Sequence, residues 1–139
     1  MSVKKKRTIS AITASVAASL CLAVTAAAAS FNFTLNIAED DYTSPAIKTN
    51  SLQYASVDVN SGNFVSSDRL YLRVCTNVQG SDGNYNFATE TKWVNAAPYS
   101  LTLNYTEATG TYGSKYRLRG YQGASASYGN LTASGTWAP

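Results

Sequence analysis

Two stretches decide the fold: Arg69-Leu70-Tyr71-Leu72-Arg73-Val74-Cys75 and Lys115-Tyr116-Arg117-Leu118-Arg119. In both, apolar and polar side chains alternate with a period of two, as in a strand with one face in a core and the other outward. Leu70, Leu72 and Val74 point one way, and Arg69, Tyr71, Arg73 and Cys75 the other. Tyr116 and Leu118 oppose Lys115, Arg117 and Arg119.

The same period recurs along the chain. Phe31, Phe33, Leu35 and Ile37 alternate with Asn32, Thr34 and Asn36. Tyr85, Phe87, Thr89, Thr91 and Trp93 alternate with Asn86, Ala88, Glu90 and Lys92, and Leu101, Leu103 and Tyr105 with Thr102 and Asn104. Gln53 to Val59 and Asn130 to Trp137 are fainter strands. Turn residues separate the runs: Asn60-Ser61-Gly62-Asn63, Gly80-Ser81-Asp82-Gly83-Asn84, and Glu107 to Ser114 with Gly110 and Gly113. Helix formers are scarce. About seven short strands with turn signals between them predict an all-β fold, an antiparallel β-sandwich of the Ig-like or jelly-roll-like kind.

The chain has 139 residues and a formal charge of +3. Its sequence pI near 8.9 misleads, because Lys4, Lys5, Lys6 and Arg7 stand in one N-terminal run. An apolar stretch, Ile9 to Val24, follows, and then the small residues Ala26 to Ala29. That order is a secretory signal peptide. The expected organisation is a cleaved leader over residues 1–29, cut near Ala28 or Ala29, and one domain over 30–139. The expected location is extracellular, in association with the cell envelope, and the leader's composition points to a Gram-positive bacterium. No transmembrane segment is expected in the mature chain. Beyond the leader, seven basic residues face eight acidic ones, a balance of −1. Nucleic acid, which needs a basic domain, is not an expected partner.

The chain has no histidine, so histidine triads and histidine metal sites are excluded. Cleavage removes Cys21 and leaves Cys75 without a partner for an internal disulfide. No phosphate loop, zinc pattern or Gly-x-Ser-x-Gly elbow is present. No cofactor, no metal and no enzymatic activity are expected.

The sharpest candidate for a binding site is a basic stripe. Arg69 and Arg73 share one face of a strand, and Lys115, Arg117 and Arg119 share one face of another. Tyr71 and Tyr121 lie on those faces. If the strands are neighbours, the seven residues form a cationic, tyrosine-bearing surface suited to phosphate, carboxylate or sulfate groups of an envelope polymer or a lipid head group. The plainer reading is a solvated strand surface whose charges guard the edges.

Other features are weaker. Ten tyrosines offer stacking platforms for sugars, but most fit core or half-buried strand positions. Glu39-Asp40-Asp41 and Asp82 are oxygen-rich but lack the spacing of a calcium loop. Asp58, Glu90 and Glu107 are the carboxylates from which a glycosidase pair would be drawn. Cys75, near arginines, is a candidate nucleophile or intermolecular disulfide, with an inert buried thiol as the default.

Asp41-Tyr42-Thr43-Ser44, Tyr116-Arg117-Leu118-Arg119-Gly120 and the closing Ser134-Gly135-Thr136-Trp137-Ala138-Pro139, with the leader, resemble a family of small exported Gram-positive proteins classed as a domain of unknown function. The resemblance implies secretion and a compact β domain, and no activity. The C-terminal part is more faintly similar to lactococcin 972-type bacteriocins. The expected function is a secreted, non-enzymatic binding protein. The alternatives are a bacteriocin or toxin-like antimicrobial protein, a small hydrolase and a self-assembling structural protein.

Overall fold

The computed structural model describes residues 27–65, 68–106, 109–123 and 129–139. The leader expected over residues 1–29 lies almost wholly outside them. The described residues form ten strands: β1 (Ala29–Leu35), β2 (Asp40–Tyr42), β3 (Ala46–Ile47), β4 (Tyr54–Gly62), β5 (Leu70–Gln79), β6 (Tyr85–Phe87), β7 (Lys92–Val94), β8 (Tyr99–Asn104), β9 (Lys115–Gln122) and β10 (Leu131–Ala138). They make two antiparallel sheets. The first has the order β1-β10-β4-β8. The second has the order β2-β9-β5-β6, with β3 beside β2 on β9 and β7 beside β6 on β5. The fold is an all-β antiparallel sandwich. Among the described residues, no helix is long and apolar enough to cross a membrane.

The alternation builds the core. From the first sheet come Phe31, Phe33 and Leu35, then Ala55, Val57 and Val59, then Leu103, then Leu131, Ala133 and Trp137. The second sheet answers with Leu70, Leu72 and Val74 and with Tyr116 and Leu118. Two glycines permit close approaches, one between the sheets and one between neighbouring strands of the first sheet. A Cβ on Gly120 would sit 2.6 Å from the Phe33 ring. At Gly135 a Cβ would collide with the Asp58 carbonyl, where the β10–β4 ladder shifts register between Ser134 and Gly135. One lysine also lies in the interior. Lys48 is fully buried, its Nζ donates to Asn50 Oδ1 at 2.9 Å, and it stands 4.7 Å from the Tyr105 ring centre. Burial lowers its pKa.

Three sequence expectations are corrected. Ile37 is not part of β1. It is exposed in a turn in which Ala38 has φ 61°, closed by Asn36 N–H donating to Glu39 Oε2. Asn60-Ser61-Gly62-Asn63 is no hairpin turn, because Ser61 and Gly62 pair with Ser134 and Ala133. The Asn63 side chain then binds the Asn130 carbonyl and the Thr132 N–H. The run from Tyr85 to Trp93 is two strands rather than one. Between them Ala88 and Thr89 turn inward, and the Thr89 hydroxyl accepts from Val74 N–H. The Gly80–Asn84 turn does join β5 to β6, with Gly83 at φ 80° and Gly80 N–H donating to the Asn84 carbonyl.

Candidate functional site: an arginine–aromatic sheet face

Strands β5 and β9 are neighbours, so the two basic stripes fall on one outer face. Tyr71 lies opposite Tyr121, Arg73 opposite Arg119, and Cys75 opposite Arg117. The flanking strands widen this face with residues the sequence reading did not single out. Trp93 of β7 stands beside Tyr71, and Phe87 of β6 beside Cys75. Tyr42 and Asp40 of β2 stand beside Arg119 and Tyr121. With Tyr85 of β6, which lies against Arg117, six aromatic side chains share a face with four arginines.

Each guanidinium rests on a ring. Arg69 lies 4.4 Å from the Trp93 ring centre, Arg73 3.8 Å from Phe87, and Arg117 4.7 Å from Tyr85. Arg119 lies 5.2 Å from Tyr121 and 5.7 Å from Phe87. Such contacts contribute about 0.5–1 kcal/mol where exposed and about 2 where water is excluded. They help offset the repulsion of Arg73 and Arg119, like charges placed directly opposite. A carboxylate offsets more of it, because Arg119 Nε donates to Asp40 Oδ2 at 2.8 Å. Arg117 is held at both ends, its Nε donating to Asn77 Oδ1 and its terminal nitrogen to the Thr43 carbonyl, both at 2.8 Å. Arg73 differs. Its Nε is shielded and has no hydrogen-bond partner among the described residues. Burial lowers its pKa, with the neighbouring Arg119 acting in the same direction.

A cleft of about 220 Å³ opens beside these arginines, lined by Tyr42, Tyr85, Phe87 and Arg119 and by Asp82, Asn84 and Asn86. Tyr42 and Tyr85 meet edge to face at 5.0 Å. Burial and then the Asp40 charge push the Tyr42 hydroxyl pKa up to about 12. The hydroxyl therefore stays protonated at neutral pH and donates to Asp40 Oδ2 at 3.2 Å.

Of the seven residues expected to form the site, six gather here. Lys115 does not join the stacked set. It is exposed at the far end of β9, opposite Ile47, and lines a separate groove of about 560 Å³ with Thr76, Val78 and Thr111. The tyrosines divide in a way the sequence did not show. Tyr116 is core, its hydroxyl accepting from Gly110 and Thr111 N–H, whereas Tyr42, Tyr71, Tyr85 and Tyr121 are half-buried on the arginine face. The alternation of Tyr85, Phe87 and Trp93 was visible, but its side is legible only from buried Ala88 and Val94. Phe87 and Trp93 are 53% and 46% exposed, which makes them available surface.

Cys75 is fully buried beneath this face. Burial raises its pKa from 9.0 to about 11, outweighing the opposite pull of Arg119 and Arg73. The thiol is protonated at neutral pH and has no solvent access, so neither the nucleophile nor the intermolecular disulfide holds. The acidic candidates serve local structure. Glu39 binds Asn36, Asp41 accepts from Tyr42 N–H, and Asp82 accepts from Asn84 N–H. Asp58 bonds Ser100, and Glu90 pairs with Lys92 and Asn104. Glu107 lies outside the described residues. Among the described residues, no three potential metal ligands cluster.

This geometry defines a class: a β-sandwich with an arginine–aromatic face on one sheet. In comparison with known proteins, no family model matches the chain, and neither a curated protein nor a solved structure matches it.

Proposed function

We propose that the protein is a secreted, non-enzymatic binding module that holds an anionic cell-envelope polymer on the outer face of β5 and β9. The observation that carries this reading is Arg73 directly opposite Arg119, with aromatic rings beneath both. Guanidinium groups take phosphate or carboxylate through paired N–H bonds, and the rings hold Arg73 and Arg119 side by side on the sheet. Phe87 and Trp93 add ring surface for the sugar units of such a polymer. The leader sequence supports action outside the cell.

With a mature balance near −1, attraction arises from where the charge sits and not from its total. It therefore fades with salt, as exposed charges are screened within about 8 Å at physiological ionic strength. The test mixes purified protein with Gram-positive cell walls and, separately, with anionic vesicles, at low and high salt. Arg73→Ala/Arg119→Ala and Lys115→Ala are run alongside. The expected result is salt-sensitive co-sedimentation with walls, lost in the double variant and kept in Lys115→Ala. Retention at high salt, or equal binding by the double variant, overturns the reading. A preference for vesicles moves the ligand to a lipid.

A further inference from the structure

A sandwich of two open sheets has four lateral edges, and natural sheets guard such edges with short strands, charges or covering segments. Three of the four are guarded here. On the second sheet one edge is broken into β2 and β3, of three and two residues, and the other into β6 and β7, of three each. On the first sheet β8 is covered by charged side chains. Lys92 Nζ donates to the Thr102 carbonyl at 2.8 Å, and Glu90 Oε1 accepts from Asn104 N–H at 3.2 Å.

Among the described residues, the fourth edge, β1, has none of these devices. It runs seven residues, Ala29 to Leu35, in unbroken register with β10 and without a charged residue. Among the described residues, no hydrogen bond from outside the β10 ladder reaches residues 29–34. Ser30, Asn32 and Thr34 are exposed on its outer side.

The strand is also self-complementary. Turned antiparallel on itself about Asn32, it sets Ser30 against the partner's Thr34 and Phe31 against the partner's Phe33. Phe31 and Phe33 already lie in the core, so the pair that gains is the exposed Ser30 and Thr34, whose hydroxyls stabilise an antiparallel ladder, and no like charges meet. We propose that β1 is a homodimerisation edge, at which a second copy of this chain pairs through its own β1 and joins two four-stranded sheets into one of eight strands. The occupant is a second copy because the two-fold match lies within the strand itself. The interface is small, so association is weak and concentration-dependent.

The experiment is sedimentation across roughly 1 µM to 1 mM, the span that covers weak affinities. Asn32 lies at the two-fold, where Asn32→Lys or Asn32→Asp places like charges together. Each variant alone is expected to be monomeric, and their equimolar mixture to recover the parent's dimer. Ser30→Lys/Thr34→Asp sets opposite charges together twice and is expected to tighten the dimer at least several-fold. Thr102→Lys, on the guarded edge β8, leaves it unchanged. A parent that stays monomeric at 1 mM overturns the proposal. So does a dimer insensitive to residue 32, a mixture that fails to reassociate, or loss of the dimer in Thr102→Lys. Should a variant at residue 32 fail to fold, the gain from Ser30→Lys/Thr34→Asp decides the question by itself.

Discussion

The two outer faces of the sandwich are built by the same alternation over the same core, yet their chemistry is opposite. The outer side of the first sheet carries Ser30, Asn32 and Thr34, then Thr132, Ser134 and Thr136, then Ser56, Asp58 and Asn60, then Ser100, Thr102 and Asn104. Most are short side chains, hydroxyls and amides; Tyr54, exposed at the start of β4, is the one aromatic on this side and Asp58 the one charge. The outer side of the second sheet carries Arg69, Arg73, Arg117 and Arg119 interleaved with rings. A solvated surface needs only the first kind of face. The second confines long cations against apolar rings and sets Arg73 opposite Arg119, an arrangement that costs repulsion and desolvation. The contrast within one molecule is what marks the second sheet as the candidate site.

The strongest way to break the comparison is to remove what both faces share. Trp137 is almost fully buried, at 1% exposure, on the core side of β10. Trp137→Ala is expected to destabilise the whole fold by about 3–5 kcal/mol, read by denaturant titration, with both faces lost in one transition. A smaller effect, or unfolding of one sheet ahead of the other, would mean that the sheets do not share a core.

Binding is expected to separate the faces. Arg73→Ala/Arg119→Ala removes two charge-assisted contacts, each of about 1.5–3 kcal/mol, and should lower wall affinity by more than a hundredfold at low salt. Ser134→Ala/Thr136→Ala on the first sheet should leave affinity within about twofold. Equal losses in the two variants would erase the distinction between the faces.

Alkali is expected to act through the second sheet. The unfolded chain ionises Cys75 near its ordinary 9.0, while the folded chain holds the proton until about 11. The folded state therefore binds more protons across that window, and stability falls as pH rises from 9 to 11, by at most about 2–3 kcal/mol. Tyr42, raised to about 12, extends the same trend upward from pH 10. Cys75→Ala should flatten the lower part of the curve, as seen in melts taken at pH 8, 9.5 and 11. An unchanged slope would show that the thiol is not buried as described.

Much of the core was legible because a strand's parity is carried by every second residue. Leu70, Leu72, Val74, Tyr116 and Leu118 could be assigned inward without knowing any neighbour. The pairing of β5 with β9 was not legible, since paired positions lie 40 to 52 residues apart and nothing local encodes the match. The aromatic half of the site failed for a different reason. From Tyr85 to Trp93 an apolar set alternates with a polar one, and pattern alone favours placing Tyr85, Phe87 and Trp93 inward. The break at Ala88 and Thr89 and the anchoring of Val94 in the core reverse that choice. Asn60 to Asn63 misled in the same manner. Turn-forming residues are also tolerated at the end of a strand, where Asn63 satisfies the backbone of β10 with its side chain.

The smallest expected effect sharpens the comparison most. Asp40 is the acidic side chain paired with the arginine face, and its bond to Arg119 is partly exposed, with side-chain exposures of 23% for Arg119 and 33% for Asp40. Partly exposed pairs of this kind are worth about 0–1 kcal/mol, so Asp40→Asn should shift the melting midpoint little. Binding should move the other way. An anionic ligand and Asp40 compete for the same guanidinium, and removing the carboxylate frees Arg119 and adds one positive charge to the face. Affinity for walls should rise a few-fold, with a steeper dependence on salt. If Asp40→Asn instead weakens binding, the ion pair positions Arg119 for its ligand rather than competing with it, and the face reads its ligand by geometry more than by charge.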